Sequence, residues 1–151
     1  MAQNQWVIDL ESKVLSLVKG KTYNKLKKRY PQIMYTTSSI SNDSQRNFPC
    51  VYVHELGGSE ANSDLERTRI NTIVAGFQIE VYSNTSQLDC RTIMAEIMDC
   101  LKKLMFDVKM SPYADNQSPI YRYVARFERT FDWTSSAVTR PFEFVTSFAI
   151  I

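Results

Sequence analysis

A chain of 151 residues, 44% apolar and 23% charged, has the length and composition of one globular domain with a single core, spanning 1–151. Its formal net charge of +2 is too small to make nucleic acid or an anionic membrane the main partner. Four glycines and five prolines argue against a long disordered stretch.

The first predicted element is a helix. Trp6, Leu10, Val14, Leu17 and Val18 recur at three- and four-residue steps, the spacing of one helical face. Gly20 reads as its stop. Residues 22–29 read as a short basic helix, capped by Thr22 and ended near Pro31. Lys25, Lys27, Lys28 and Arg29 form a basic cluster there. Such a cluster is either a solvated face or a surface turned to DNA or to an acidic protein.

Residues 33–39, rich in Thr and Tyr, predict a strand, and 41–47 a polar turn or loop. Residues 48–56 predict a clearer strand, with Val51 and Val53 on one face and Tyr52 and His54 on the other. Residues 57–69, GGSEANSDLERTR, are the most loop-like stretch, a polar excursion between strands. Residues 70–83 predict a long strand. There Phe77, Ile79 and Val81 alternate with Gln78, Glu80 and Tyr82, and Gly76 marks a bulge or bend.

Residues 84–87 offer N-cap side chains for a second helix running to about Phe106. Met94, Ile97, Met98, Leu101, Leu104 and Met105 form its apolar stripe, with Arg91, Asp99, Lys102 and Lys103 outside it. Residues 107–114 predict a weak strand and 115–119 a turn. Residues 120–133 are the longest alternating run in the chain. Tyr121, Tyr123, Ala125, Phe127, Phe131 and Trp133 share one face, against Arg122, Arg126, Glu128 and Thr130 on the other. Residues 140–151 predict a last strand, apolar through Phe148, Ile150 and Ile151. Residues 135–151 are a C-terminal extension. It either packs back as a strand or joins a neighbouring subunit's sheet. The predicted fold is a two-layer α+β domain: an antiparallel or mixed sheet of four to five strands, covered by two helices.

The residues form no recognisable catalytic constellation. His54 is the one histidine and has no second histidine for acid–base or metal work. Cys50 and His54 share a strand face but lie about 13 Å apart by strand rise, too far to bond. Cys50, Cys90 and Cys100 fall at no zinc spacing, and their number and spacing predict reduced thiols. The acidic residues near the glycine pair lack the order of a calcium loop, and no phosphate-binding glycine motif occurs. No stretch approaches the ~20 apolar residues of a membrane span. The expectation is a non-enzymatic protein without cofactor or metal, made in the cytosol and not membrane-bound.

One resemblance follows from the order of segments. A helical N-terminus precedes Phe48-Pro49-Cys50-Val51-Tyr52-Val53-His54-Glu55-Leu56. A polar loop, Phe77-Gln78-Ile79-Glu80-Val81-Tyr82-Ser83-Asn84, an amphipathic helix and Tyr121-Arg122-Tyr123-Val124-Ala125-Arg126-Phe127 then follow. Over residues 33–131 this resembles the tail terminator, or tail completion, proteins of long-tailed bacteriophages. The resemblance implies a virion protein of the tail or neck, assembled in the host cytoplasm. It implies a homo-oligomer, a six-membered ring that caps the tail tube, ends its polymerisation and docks to the head connector, with DNA passing through its lumen. The implied partners are further copies of the chain, the tail tube protein and the connector protein. From exposure and charge, Gly57, Gly58, Glu60, Asp64, Glu66, Arg67 and Arg69 are candidate interface residues, with Phe148, Ile150 and Ile151 from the tail. Lys25, Lys27, Lys28 and Arg29 are candidates to face the lumen or the connector. Another neck component, such as a head-closure or connector protein, is the nearest alternative. A small cellular binding domain and a nucleic-acid-binding module are more distant ones.

Overall fold

The computed structural model describes residues 2–38, 47–63 and 65–132. In chain order the elements are α1 (Gln5–Ile8), α2 (Leu10–Leu26), β1 (Met34–Thr36), β2 (Cys50–Ser63), β3 (Ile70–Ser83), α3 (Gln87–Lys103), β4 (Asp107–Ala114) and β5 (Tyr121–Asp132). The five strands form one sheet in the order β1-β2-β3-β5-β4. β1 runs parallel to β2, and the other pairings are antiparallel, so the sheet is mixed. α2 and α3 lie on one face of it. The predicted α+β class, strand number and helical layer are the observed ones.

The core forms where the alternating faces of the strands meet the helical stripes. Val51, Val53, Phe77, Ile79, Val81, Ala125 and Phe127 come from the sheet. Leu10, Val14, Val18, Cys90, Ile93, Ile97 and Leu101 come from the helices. Phe77, Phe106 and Phe131 make a triangle of edge-to-face rings with centroids 5.9–6.2 Å apart, within the favoured range for such pairs.

Gly20 does not stop the first helix. Thr22 and Leu26 continue the buried face of Val14 and Val18 by one-turn steps, so α2 runs through Gly20 to Leu26. A glycine there costs roughly 1 kcal/mol relative to alanine, less than burying two further turns returns. Thr22 is therefore not a cap. It is buried, donates its hydroxyl to the Val18 carbonyl at 2.7 Å and shares a 2.8 Å bond with Tyr35 Oη. The separate basic helix of 22–29 is the end of α2 and the turn after it.

The first strand is shorter than predicted, Met34–Thr36 within 33–39. The polar turn of 41–47 lies, but for Asn47, outside the described residues. The largest correction concerns 57–69. β2 does not end at Leu56 but continues to Ser63, paired with β3 from Gly58↔Ala75 to Ser63↔Ile70. Polar side chains do not prevent a strand when a long partner supplies the backbone hydrogen bonds. The predicted bulge is also relocated. The first register shift lies in β2 between Glu55 and Gly57, opposite Phe77 and Gly76, and two more follow between Glu60 and Ser63.

α3 starts as predicted: the Ser86 side chain accepts from the Asp89 N–H at 3.1 Å. Its end differs. Met105 has φ 70 and is 62% exposed, so it leaves the stripe. This left-handed residue lets Met105 N–H donate to the Lys102 carbonyl and Phe106 N–H to the Leu101 carbonyl, at 3.1 and 3.0 Å. The paired bonds close the helix and turn Phe106 into the core in place of Met105.

β3 and β4 match their predicted ranges, and β5 matches 120–133 within one residue at each end. Trp133 and the strand of 140–151 lie outside the described residues. On β5, Ala125, Phe127 and Phe131 are buried on the helical side as expected. Arg129 shares their parity; it is half-buried and donates to the Leu104 carbonyl at 2.8 Å.

Candidate assembly surfaces

Alternation places one set of side chains on the sheet face away from the helices: Tyr52 and His54 from β2, Gln78, Glu80 and Tyr82 from β3, Arg122, Val124, Arg126 and Glu128 from β5. The register sets Glu80 between Tyr52 and Val124, and Gln78 between His54 and Arg126. Tyr52 and His54 stack with centroids 5.6 Å apart.

A hydrogen-bonded chain crosses this face. Glu80 is only 4% exposed. Its Oε1 accepts from Tyr82 Oη at 2.6 Å and from Arg122 Nε at 2.7 Å, and its Oε2 accepts from Gln78 Nε2 at 3.0 Å. Arg122 also pairs with Asp115 in the turn before β5. Arg126 Nε extends the chain by donating to Gln78 Oε1 at 2.9 Å. Burial works against the Glu80 charge. The bonds from Tyr82, Gln78 and Arg122 outweigh it and hold the carboxyl below the ordinary glutamate range. Burial and the bond to Glu80 push the Tyr82 phenol up to about 12. The network locks β3 to β5 and stays charged at neutral pH. Its components are all engaged with each other, which fixes their positions on the open face.

The cysteines lie in the core. Cys50, Cys90 and Cys100 are buried and in no disulfide. Burial raises the Cys90 and Cys100 thiols to about 12 and 11, well above the range of a nucleophilic thiolate. Among the described residues no group of three or more His, Cys, Asp or Glu is placed to hold a metal ion. No described helix is long and apolar enough to cross a membrane.

The remaining features lie on the edges. β1 pairs only with Cys50–Tyr52, and the Glu55 N–H donates to Glu11 Oε2 of α2 at 2.9 Å. From residue 56 on, the outer edge of β2 has no strand partner among the described residues. Residues 56–61 are exposed on both faces. A shallow trough of about 500 Å³ lies beside them, lined by Leu56, Gly57, Gly58 and Gly76 with Lys109 and Arg126. The glycines differ in kind. Gly57 has φ +90, and a Cβ on Gly58 would sit 2.2 Å from the Val74 carbonyl oxygen, so both are required by the bulged backbone. A Cβ on Gly76 would meet nothing nearer than 3.8 Å. The fold does not need that glycine, and its absent side chain leaves the trough open.

The candidate interface residues are therefore split. Gly57, Gly58 and Glu60 lie in β2, while Glu66, Arg67 and Arg69 lie in the turn to β3. Asp64, Phe148, Ile150 and Ile151 lie outside the described residues. Asn4 holds the turn, accepting from Ile70 N–H at 2.9 Å and donating to the Thr68 carbonyl at 3.0 Å. The basic cluster sits at the other end of the sheet, beside the start of β1. Lys25 pairs with Glu96 at 3.7 Å and Arg29 with Asp89 at 3.9 Å, while Lys27 lies over the Tyr23 ring. Lys28 is exposed. The Glu80–Arg122 network was not visible in the sequence as a site. Its only signal was polar residues alternating on two strands whose mutual register the sequence does not state.

No protein-family model matches this chain, and no curated protein matches it.

Proposed function

We propose that this chain is a non-enzymatic structural protein that assembles with copies of itself, as a tail terminator ring of a bacteriophage neck. In that role it caps the tail tube, halts its growth and presents a docking surface to the head connector. The observation that supports the reading best is the pair of strand segments at the two sides of the sheet that are largely exposed, β4 apart from the half-buried Met110 and Pro112, and residues 56–61 of β2. Strand edges of this kind are assembly-prone unless they are covered. The rigid network on the open sheet face adds a second support, because a ring that must hold a fixed bore needs stiff subunits.

The test is the mass of the purified protein over a concentration series, with negative-stain images of the largest species. Closed rings with an open centre are expected, and so is capping of purified tail tubes. A protein that stays monomeric at every concentration and leaves tail tubes uncapped sinks the reading.

Gly76 gives a second, sharper check. Gly76→Ala is expected to stabilise the monomer by roughly 0.5–1 kcal/mol, because a strand glycine is entropically costly and the site has room for a methyl group. Ring formation is expected to need a higher protein concentration, because the methyl fills the trough. Urea unfolding reads the first effect and sedimentation the second. Greater stability with unchanged assembly would remove the trough from the interface.

A further inference from the structure

The whole-chain charge of +2 hides a separation. Residues 12–42 hold seven of the 18 cations and none of the 16 acids. The rest of the chain is therefore net negative. Most of the seven lie on α2 or in the turn after it. Because α2 runs through Gly20 without a break, it is one rod about 25 Å long at 1.5 Å per residue.

The structure sorts these cations. Lys25 and Arg29 pair with Glu96 and Asp89 of α3, and Lys21 lines the cleft that holds Glu96 and Asp99. Lys19, Lys27 and Lys28 are exposed, and no ion pair joins them to an acid among the described residues. Helical phase accounts for the outward set. Leu10, Val14, Val18, Thr22 and Leu26 bury one side of α2, which turns Ser16, Lys19, Gly20 and Lys27 toward solvent. A trough of about 340 Å³ lies there, lined by Ser16, Lys19, Gly20, Tyr23 and Asn24. Lys27 stands over the Tyr23 ring, 5.9 Å from its centroid. A Cβ on Gly20 would meet nothing within 4 Å. Packing does not require the glycine, and it leaves bare backbone at the floor of the trough.

We infer that this face of α2, from Ser16 to Lys28, binds the phosphate backbone of duplex DNA without reading its bases. Lysine ammonium groups, a serine hydroxyl, an asparagine amide and a tyrosine phenol are the groups that hold phosphate oxygens. The face has no leucine, phenylalanine or tryptophan to enter a bilayer. Nor does it offer the apolar pocket that anchors a protein partner. A second copy would set lysine against lysine there. The inference stands apart from the assembly reading, because one copy presents the complete face.

The experiment measures fluorescence anisotropy of a labelled duplex of about 30 base pairs over a salt series starting near 50 mM. The full chain is expected to bind unrelated sequences equally and to weaken steeply as salt rises. Lys19→Gln, Lys27→Gln and Lys28→Gln together are expected to weaken binding at low salt by at least about tenfold and to reduce the salt slope by roughly one per lysine. Arg67→Gln, Arg91→Gln and Lys109→Gln remove the same charge from exposed positions elsewhere and are expected to change the affinity less than about twofold. All six positions are exposed, so circular dichroism is expected to show both variants folded. Equal losses in the two triple variants would mean that net charge alone drives binding, and would overturn the inference. No binding by the unsubstituted chain at the lowest salt would overturn it as well. Polyglutamate that displaces the duplex at equal charge would assign the face to an acidic protein instead, and equally tight binding to phosphatidylserine vesicles would assign it to a membrane surface.

Discussion

Phe77→Ala is expected to destabilise the fold by about 3–5 kcal/mol, the range for deleting a buried phenylalanine and leaving its cavity. The upper half of that range is expected. Phe77 is fully buried and is one corner of the triangle with Phe106 and Phe131, so its loss removes two of the three edge-to-face pairs. It also sits opposite Phe127 in β5 and Glu55 in β2, at the bulge. The gap therefore opens where the three longest strands are joined, and little backbone is free to collapse into it. A urea unfolding curve measures the effect as a lower midpoint. A loss under about 1 kcal/mol would mean that the triangle does not carry the core. Because β2 holds its register against β3 through this region, the same variant is expected to lose assembly together with stability.

Arg122→Ala is expected to cost about 3 kcal/mol, the lower end of the range for breaking a buried pair by removing one partner. The argument turns on what remains. Glu80 keeps its bonds from Tyr82 and Gln78 but loses its counter-charge while staying almost fully buried. Removing both charges in Glu80→Gln with Arg122→Ala is expected to recover part of the loss, since no unpaired charge is then left inside. A double variant less stable than Arg122→Ala alone would contradict this account of the network.

The pair also sets an acid sensitivity. The folded Glu80 carboxyl titrates below its unfolded value because its bonding partners outweigh its burial. Its contribution is therefore complete above the ordinary glutamate range, near pH 4.3, and is lost as pH falls through the folded value below it. The unsubstituted protein is expected to lose stability more steeply below that range than Glu80→Gln, as thermal unfolding at a series of acid pH values would show. Parallel curves would place the acid sensitivity elsewhere.

Most of the architecture was legible in the residues. β3, β4 and β5 have clear ends, and β3 and β5 alternate strictly, because a sheet with one face on helices and one face open imposes period two on both. The α3 stripe and an N-cap within residues 84–87 were equally plain; that Ser86 is the one that caps came from the structure. What was missed has one cause: local signals were overruled by distant partners. Gly20 is a stop by local preference, yet the sheet beneath α2 rewards two more turns. The glycine-rich stretch after Leu56 is a loop by composition, yet Ile70–Ala75 lies alongside it and supplies the backbone bonds of its inner edge. Met105 belongs to the stripe by spacing, but the left-handed turn that closes α3 exchanges it for Phe106.

The same division holds for the candidate sites. The residues alone determined that this chain has one α+β core, no recognisable catalytic or metal-binding pattern, and a polar segment rich in glycine between two strands. They did so because periodicity and spacing are properties of neighbouring positions. Only the tertiary structure decided that the segment is a strand whose outer edge has no strand partner among the described residues, that β4 lies at the far side of the same sheet, and that Glu80 meets Arg122. Each of these depends on strand order and register. Those are set by the packing of residues far apart in the chain, and no local pattern encodes them.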